Sequence, residues 1–357
     1  MADAAMRIAI VSDACDPPTN GVTRTFTQVS ERLRRRGHDV ILITPPGFAT
    51  IECPTDPGIR LAVAPYRQLA RRLDEFRPDA IHVATEGPLG FAARRYCLRR
   101  ELPFTTSFTT RFPEAIHARM RIPAAWTYPL LRRFHRPAAA LMVGTASLRA
   151  ELAERGFTNL AAWTRGVDTE LFRPRADAAL PYPRPIWLHV GRIAPEKSVE
   201  DFLRLPLEGT KLVVGDGSLL ADLRRRHPEA VFTGTLRGED LARHYAGSDA
   251  FVFPSRTDTF GLVLLEALAS GLPVAAYPVT GPLDIIGREG PGVLDEDLGR
   301  AARGALAIPR ERCRQHALAY DWETCVTRFV ELLHPVGAAR AGLRGTAPAS
   351  PACGDRA

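Results

Sequence analysis

Long apolar runs are missing from this 357-residue chain: no stretch of 18 or more residues is apolar throughout, which excludes a membrane-spanning helix. Cysteine is sparse. Cys15, Cys53, Cys97, Cys313, Cys325 and Cys353 form no C-x-x-C pair and have no histidine at zinc-ligand spacing. No metal site is indicated, and free thiols in a reducing cytoplasm are expected. No G-x-G-x-x-G follows a strand pattern and no G-K-[ST] occurs, which argues against a nicotinamide dehydrogenase and a P-loop ATPase. A basic motif with interleaved aromatics is also lacking, so nucleic acid is not an expected partner. Met1 to Met6 is short, contains Asp3 and leads straight into a strand pattern, so a secretory leader is not expected.

What is present is enough chain for two α/β domains, with an ordinary hydrophobic share of 45%. The net charge is +7, carried almost wholly by arginine, in clusters such as Arg34–Arg36 and Arg132, Arg133 and Arg136. That balance fits nucleic acid, an anionic membrane surface or anionic small substrates, and it equally fits a GC-rich genome, so charge alone decides nothing.

Short apolar strands alternate with helical stretches. Arg7–Ser12, Asp39–Thr44, Asp79–Ala84, Phe104–Phe108 and Ala139–Val143 read as strands of a first unit. Thr23–Arg36 reads as a helix with Phe26, Val29 and Leu33 on one face, ended by Gly37. Proline-rich, aperiodic sequence then follows, and the alternation restarts with Pro185–Val190, Lys211–Gly215, Ala230–Thr233, Ala250–Phe253 and Pro273–Ala276. The expected organisation is a first doubly wound domain over 1–166, a connection over 167–184, a second domain over 185–320, an amphipathic helix over 321–333, and a disordered Gly/Ala/Pro/Arg tail over 336–357. In such sheets ligands meet the loops that follow the strands.

Three of those loops carry chemistry. Ser255-Arg-Thr-Asp-Thr-Phe-Gly-Leu-Val-Leu-Leu-Glu266 follows a strand and opens a helix. Thr259 is expected to cap it, leaving the N–H groups of Phe260, Gly261 and Leu262 free to hold an anion. Glu266 falls inside an apolar helix, where a carboxylate needs donors: ribose hydroxyls, or else backbone groups or an arginine. Asp258 lies about 10 Å before it at helical rise, a reach that suits one carboxylate on a sugar and one on a ribose. Gly191-Arg192 and Lys197 share a second loop, where two cations could grip a diphosphate and offset the charge of its departure. Asn20-Gly21 makes a turn after the first strand. Glu86, Thr109 and Arg111 also follow strands and could line the cleft, and the lone histidines His82, His189 and His244 read as core or surface residues.

Together these residues resemble the family 4 glycosyltransferases of the GT-B fold, over nearly the whole chain. The family's E-x7-E motif is Asp258 to Glu266 here, its G-R-x-x-x-E-K loop is Gly191, Arg192, Glu196 and Lys197, its N-G-V loop is Asn20 to Val22, and its interdomain G-V-D is Gly166 to Asp168. Phrases such as ATEGPLG, TRFPE and GPLDIIG are similar to bacterial α-mannosyltransferase-like enzymes, many of which glycosylate lipids. The resemblance implies an α/β fold of two Rossmann-like domains facing a cleft, and retaining, metal-independent hexosyl transfer from GDP-mannose or a UDP-sugar. It implies no further cofactor. Asp258 would hold the sugar, Glu266 the ribose, and Arg192 and Lys197 the diphosphate, while Gly21 lets the first domain close. Thr109 stands where relatives often carry a histidine that reaches the sugar, which bears on the choice of donor. The acceptor is a lipid or a carbohydrate. Segment 119–136, with Trp126, Tyr128, Leu130 and Leu131 among arginines, suits an anionic bilayer or an ordinary solvated helix. The expected location is cytoplasmic, at most peripheral on the inner membrane face. A non-catalytic module that senses a nucleotide sugar is the alternative from another class.

Overall fold

A computed structural model describes residues 4–14, 21–53, 56–114, 121–256 and 260–336. Asn20, Asp258, Thr259 and the tail from 337 onward lie outside the described residues.

Two six-stranded sheets form the molecule. The first holds β1 (Arg7–Val11), β2 (Asp39–Ile43), β5 (Ala80–Val83), β6 (Thr105–Phe108), β7 (Ala140–Val143) and β8 (Leu160–Ala162), in the order β2-β1-β5-β6-β7-β8. The second holds β9 (Ile186–Val190), β10 (Thr210–Val214), β11 (Val231–Gly234), β12 (Ala250–Phe253), β13 (Val274–Ala276) and β14 (Gly292–Leu294), in the order β11-β10-β9-β12-β13-β14. Every pairing in both sheets is parallel. β5, β6, β7, β9 and β12 are buried at every position. β7 and β12 therefore read as unbroken apolar runs rather than alternating ones, while β5, β6 and β9 bury His82, Thr105, Thr106, Ser107 and His189 among their apolar residues. β3 (Thr50–Cys53) and β4 (Asp56–Ala62) form a separate antiparallel pair.

Helices cover both faces. In the first unit these are α1 (Gly21–Arg35), α2 (Tyr66–Phe76), α3 (Pro88–Arg99), α4 (Ala124–His135) and α5 (Ala146–Glu154). In the second they are α6 (Val199–Leu203), α7 (Leu220–Arg226), α8 (Gly238–Gly247), α9 (Leu262–Ala269), α10 (Thr280–Ile286), α11 (Leu298–Ala305) and α12 (Arg310–Ala317). The last helix, α13 (Trp322–Leu332), lies against the first unit. Cys325, Val326 and Phe329 are fully buried beside Phe26, Val29 and Trp163, and the Trp163 indole donates to the Cys325 carbonyl at 3.0 Å. Arg36 ties the same helix to α1 through Glu323 at 2.6 Å and Thr327 at 2.9 Å. Val336, expected at the start of a disordered tail, is instead 1% exposed in the first unit's core, where its N–H donates to the Asp79 carbonyl.

Strand order reverses between β1 and β5 in one sheet and between β9 and β12 in the other. Loops leaving the strands on either side of such a reversal part in opposite directions and open a crevice. The loops after β1, β9 and β12 are those the sequence singles out.

Candidate active site

The second unit supplies a cradle built on two linked loops. After β9, Gly191 keeps a sheet-like bond from its N–H to the Val214 carbonyl, and the chain then turns through a short 3-10 segment, Pro195–Lys197. Gly215, at φ 146°, lies so close beneath that a Cβ there would sit 1.9 Å from the Gly191 carbonyl oxygen, so only glycine permits the contact. Arg192 reaches Glu196 on its own loop, and the Lys197 ammonium stands 5.8 Å from the Phe253 ring. Ser255, fully buried after β12, donates its hydroxyl to the Glu196 carbonyl at 3.3 Å, which joins the cation loop to the segment leading into α9.

α9 begins later than its sequence suggests. Its N-cap is Gly261, at φ 85° and ψ 66°, and its first helical residue is Leu262. The cap expected at Thr259 lies outside the described residues; a left-handed glycine ends the approach, and the first-turn N–H groups begin with the Gly261 N-cap and Leu262. Phe260 is 7% exposed and packs toward the other unit, where a Cβ on Gly144 would lie 3.3 Å from its ring. Leu262 also meets the first unit, its Cδ1 3.7 Å from where Gly21 would carry a Cβ. Gly21 thus has room for a methyl group in this arrangement.

Glu266 is 3% exposed, one turn into a helix whose Leu264, Leu265, Ala267, Leu268 and Ala269 are fully buried. Both its oxygens are occupied. The Tyr245 hydroxyl, from α8, donates to Oε2 at 3.0 Å, and the Arg24 guanidinium, from the first turn of α1, binds Oε1. The Glu266 charge holds the Arg24 pKa above its ordinary value, and burial pushes that of Tyr245 well up, so the phenol remains a donor. His189, beneath the cation loop, is fully buried with Nδ1 3.2 Å from the Val252 carbonyl, and burial pushes its pKa down to about 4, leaving it neutral.

The first unit contributes a different set. Glu86 is 8% exposed and turned inward: Oε1 lies 3.1 Å from Nε2 of buried His135, whose Nδ1 meets Thr106 at 3.0 Å. Asp13, just after β1, accepts from the N–H groups of Leu89 and Gly90 and from the Thr85 hydroxyl, and so caps α3. Burial raises its pKa despite those donors. Thr109 lies 3.5 Å from the Ala84 carbonyl, beside the Glu86 turn. Arg111 is a strut between units. It binds Glu151 at 2.7 Å and donates to Thr280 Oγ1, across the cleft on α10, at 3.3 Å. The Ser147 N–H and hydroxyl, on α5, bind Asp284 on α10 alongside.

The structure thus brings Gly21, Phe260, Gly261, Leu262 and Glu266 to one interface and sets Arg192 and Lys197 on the adjoining loop. Sequence reasoning missed Arg24 and Tyr245, which hold the buried carboxylate. Among the described residues no cluster of three or more His, Cys, Asp or Glu could hold a metal ion, and no helix is long and apolar enough to cross a membrane.

Residues 19–171 match the model of Glycosyltransferase Family 4, and residues 184–308 match that of Glycosyl transferases group 1. The chain is 34% identical to a GDP-mannose-dependent alpha-mannosyltransferase of Mycobacterium tuberculosis over 81% of its own length and 83% of the relative's. It is 30% identical to the sulfoquinovosyl transferase SQD2 of Arabidopsis thaliana over 87% of its own length and 69% of the relative's. Among solved structures, a sucrose-phosphate synthase from Thermosynechococcus elongatus superimposes with a TM-score of 0.75 at 20% identity, covering 96% of this chain and 100% of that one. The chain belongs to the family 4 glycosyltransferases and is a GT-B hexosyltransferase that uses a nucleotide sugar.

Proposed function

We propose that the enzyme transfers mannose from GDP-mannose, with retention of configuration, to an acceptor held on the first unit, and that the acceptor is a membrane lipid. The observation that carries the site assignment is the buried Glu266 carboxylate beside a helix start and a two-cation loop, all at the strand-order reversal of the second sheet. Glu266 receives the ribose hydroxyls. The free N–H groups at the start of α9, with Arg192 and Lys197, hold the diphosphate. Asp258, eight residues before Glu266, is assigned the sugar hydroxyls on that spacing. As the glycosidic bond lengthens, negative charge grows on the departing diphosphate. The two cations and the helix N–H groups stabilise it more than they stabilise the bound donor, which is what lowers the barrier. The leaving phosphate oxygen takes the acceptor proton on the same face, so the sugar keeps its configuration and no enzyme nucleophile is needed. The donor preference rests on the relatives called GDP-mannose-dependent alpha-mannosyltransferase. UDP-sugars remain the competing donors.

The lipid assignment is supported by the outer face of α4. Trp126 is 75% exposed and Leu130 56% exposed, four residues apart on one face, flanked by exposed Arg132, Arg133 and Arg136. An aromatic and a leucine among arginines fit an anionic lipid surface. Relatives named alpha-monoglucosyldiacylglycerol synthase add weight to a lipid acceptor.

The test is nucleotide release by the purified protein from GDP-mannose, UDP-glucose, UDP-galactose and UDP-glucuronate, with and without anionic vesicles containing diacylglycerol. Release from GDP-mannose that rises with vesicles and is lost in Lys197→Ala is the expected result. Turnover of a UDP-sugar alone overturns the donor. Transfer indifferent to vesicles but raised by a soluble sugar overturns the acceptor. Tight binding without turnover restores the binding-module reading.

A further inference from the structure

Arg24 belongs to the first unit, yet its guanidinium lies on a carboxylate oxygen that is 242 residues away and buried in the second. It is the cation that meets Glu266, whose side chain is 4% exposed, and its own side chain is 36% exposed, so it reaches in from the cleft rather than from the core. The other oxygen of Glu266 is held from within its own unit by Tyr245. Inward and outward partners are thus different in kind. Tyr245 is fixed in the second core, whereas Arg24 moves with the first unit. α1 and α9 meet by their first turns, Gly21 against Leu262, so the stem of Arg24 rises beside the N–H groups of the proposed diphosphate site.

We infer that Arg24 is a donor-gated latch and positioning residue. In the ligand-free state it joins the two units by occupying Glu266 Oε1. An arriving ribose hydroxyl takes that oxygen, and the released guanidinium turns to the diphosphate as a third cation, contributed by the acceptor unit. The inference rests on the reading of Glu266 as the ribose ligand. It follows physically because the guanidinium reaches Oε1 from the cleft, the side from which a ribose hydroxyl must also come, so the two compete for the approach to that oxygen, and a cation displaced there finds its best new partner in the phosphate charge. Opening the latch then depends on the nucleoside, and closing on the new partner depends on the diphosphate, so domain approach is coupled to an intact donor.

The experiment is titration calorimetry of the full chain with guanosine, GDP, uridine and UDP, for the wild type, Arg24→Met, Arg24→Lys and Glu266→Gln. Removing the competitor should tighten nucleoside binding several-fold in Arg24→Met while the diphosphate's advantage over its nucleoside falls by about tenfold, the loss of one charge-assisted contact. Arg24→Lys should keep part of that advantage. The gain in nucleoside affinity should vanish when Arg24→Met is combined with Glu266→Gln. If Arg24→Met weakens nucleoside and diphosphate alike, or changes neither, the latch is overturned. If Glu266→Gln leaves nucleoside binding unchanged, the ribose assignment itself fails, a result that reads out separately from the Arg24 variants.

Discussion

Replacing Tyr245 with phenylalanine isolates one interaction at the centre of the site. The ring stays: it is fully buried, with centroid contacts at 5.6 Å to Phe172 and 5.7 Å to Phe251 that a phenylalanine retains. Only the hydroxyl that donates to Glu266 Oε2 at 3.0 Å is removed. A hydrogen bond to a charged group is worth about 1.5–3 kcal/mol, and the oxygen left behind is buried away from water. For a domain of this size that corresponds to a fall in Tm of the order of 5 °C. Urea unfolding followed by circular dichroism gives the free energy, and calorimetry gives the Tm. A saturating nucleotide places its hydroxyl on Oε1 and leaves Oε2 to Tyr245, so the difference from the wild type should persist when it is present. A variant as stable as the wild type to within about 0.5 kcal/mol would refute the claim that this hydroxyl satisfies Glu266. A difference that nucleotide abolishes would refute the division in which the ribose takes Oε1 and Tyr245 keeps Oε2.

His82 and His189 are buried and neutral, their pKa values pushed by desolvation to about 3 and about 4, below the unfolded value. The unfolded chain therefore binds the extra proton first, and stability that is full above about pH 6.5 is lost as the pH falls, at about 1.4 kcal/mol per unit for each histidine. Urea midpoints measured from pH 7 to 5 should show each unit losing about 2 kcal/mol, and His82→Gln with His189→Gln should flatten the slope. Lys197→Ala should lower kcat about 100-fold or more with a smaller change in KM, because its charge is called on most as the diphosphate leaves; steady-state kinetics with the active donor decide this. Arg24→Met combined with Glu266→Leu and Tyr245→Phe removes both charges of the interdomain pair together with the buried hydroxyl that would lose its acceptor, and should leave thermal stability equal to or above the wild type by differential scanning calorimetry while abolishing transfer. A collapsed fold would mean the pair is structural.

The sheets were legible because parallel strands covered on both faces are mostly apolar, and runs such as Ala140–Val143 and Ala250–Phe253 have few other readings. The elements that escaped are those without that constraint. β8 and β14 are three-residue edge strands, and β3 is exposed or half-exposed along its length. The start of α9 is not legible in the sequence, because only the left-handed φ of Gly261 reveals where the turn falls. Gly215 could have been found, since Val214-Gly215-Asp216-Gly217 is a turn signal at a strand end. Arg24 could not. It sits on α1 among Thr23 and Thr25 as any helical surface arginine would, and its significance exists only where the two units face each other. Tyr245 was hidden for the opposite reason: on an amphipathic helix it reads as core, and its ring is core, so nothing local marks the hydroxyl.

Glu266 shows why such a site can be inferred from its cost to the fold. Every neighbour on its turn of α9 is apolar and fully buried, so packing alone would choose a leucine there. A carboxylate in that place must be desolvated, and the two partners it has recover only part of the loss, since one of them is tethered to a different unit and about one third exposed. A fold selected for stability alone would discard the arrangement. Its presence makes sense if the carboxylate is held ready, at some expense to the ligand-free enzyme, for hydroxyl donors that arrive with the substrate. Tyr245 keeps one oxygen aimed while the other remains exchangeable, so the carboxylate is oriented before the donor binds and need not be reorganised afterward. That division between a fixed inner partner and an exchangeable outer one is what distinguishes a binding carboxylate from a core ion pair, in which both partners would be locked from the same unit.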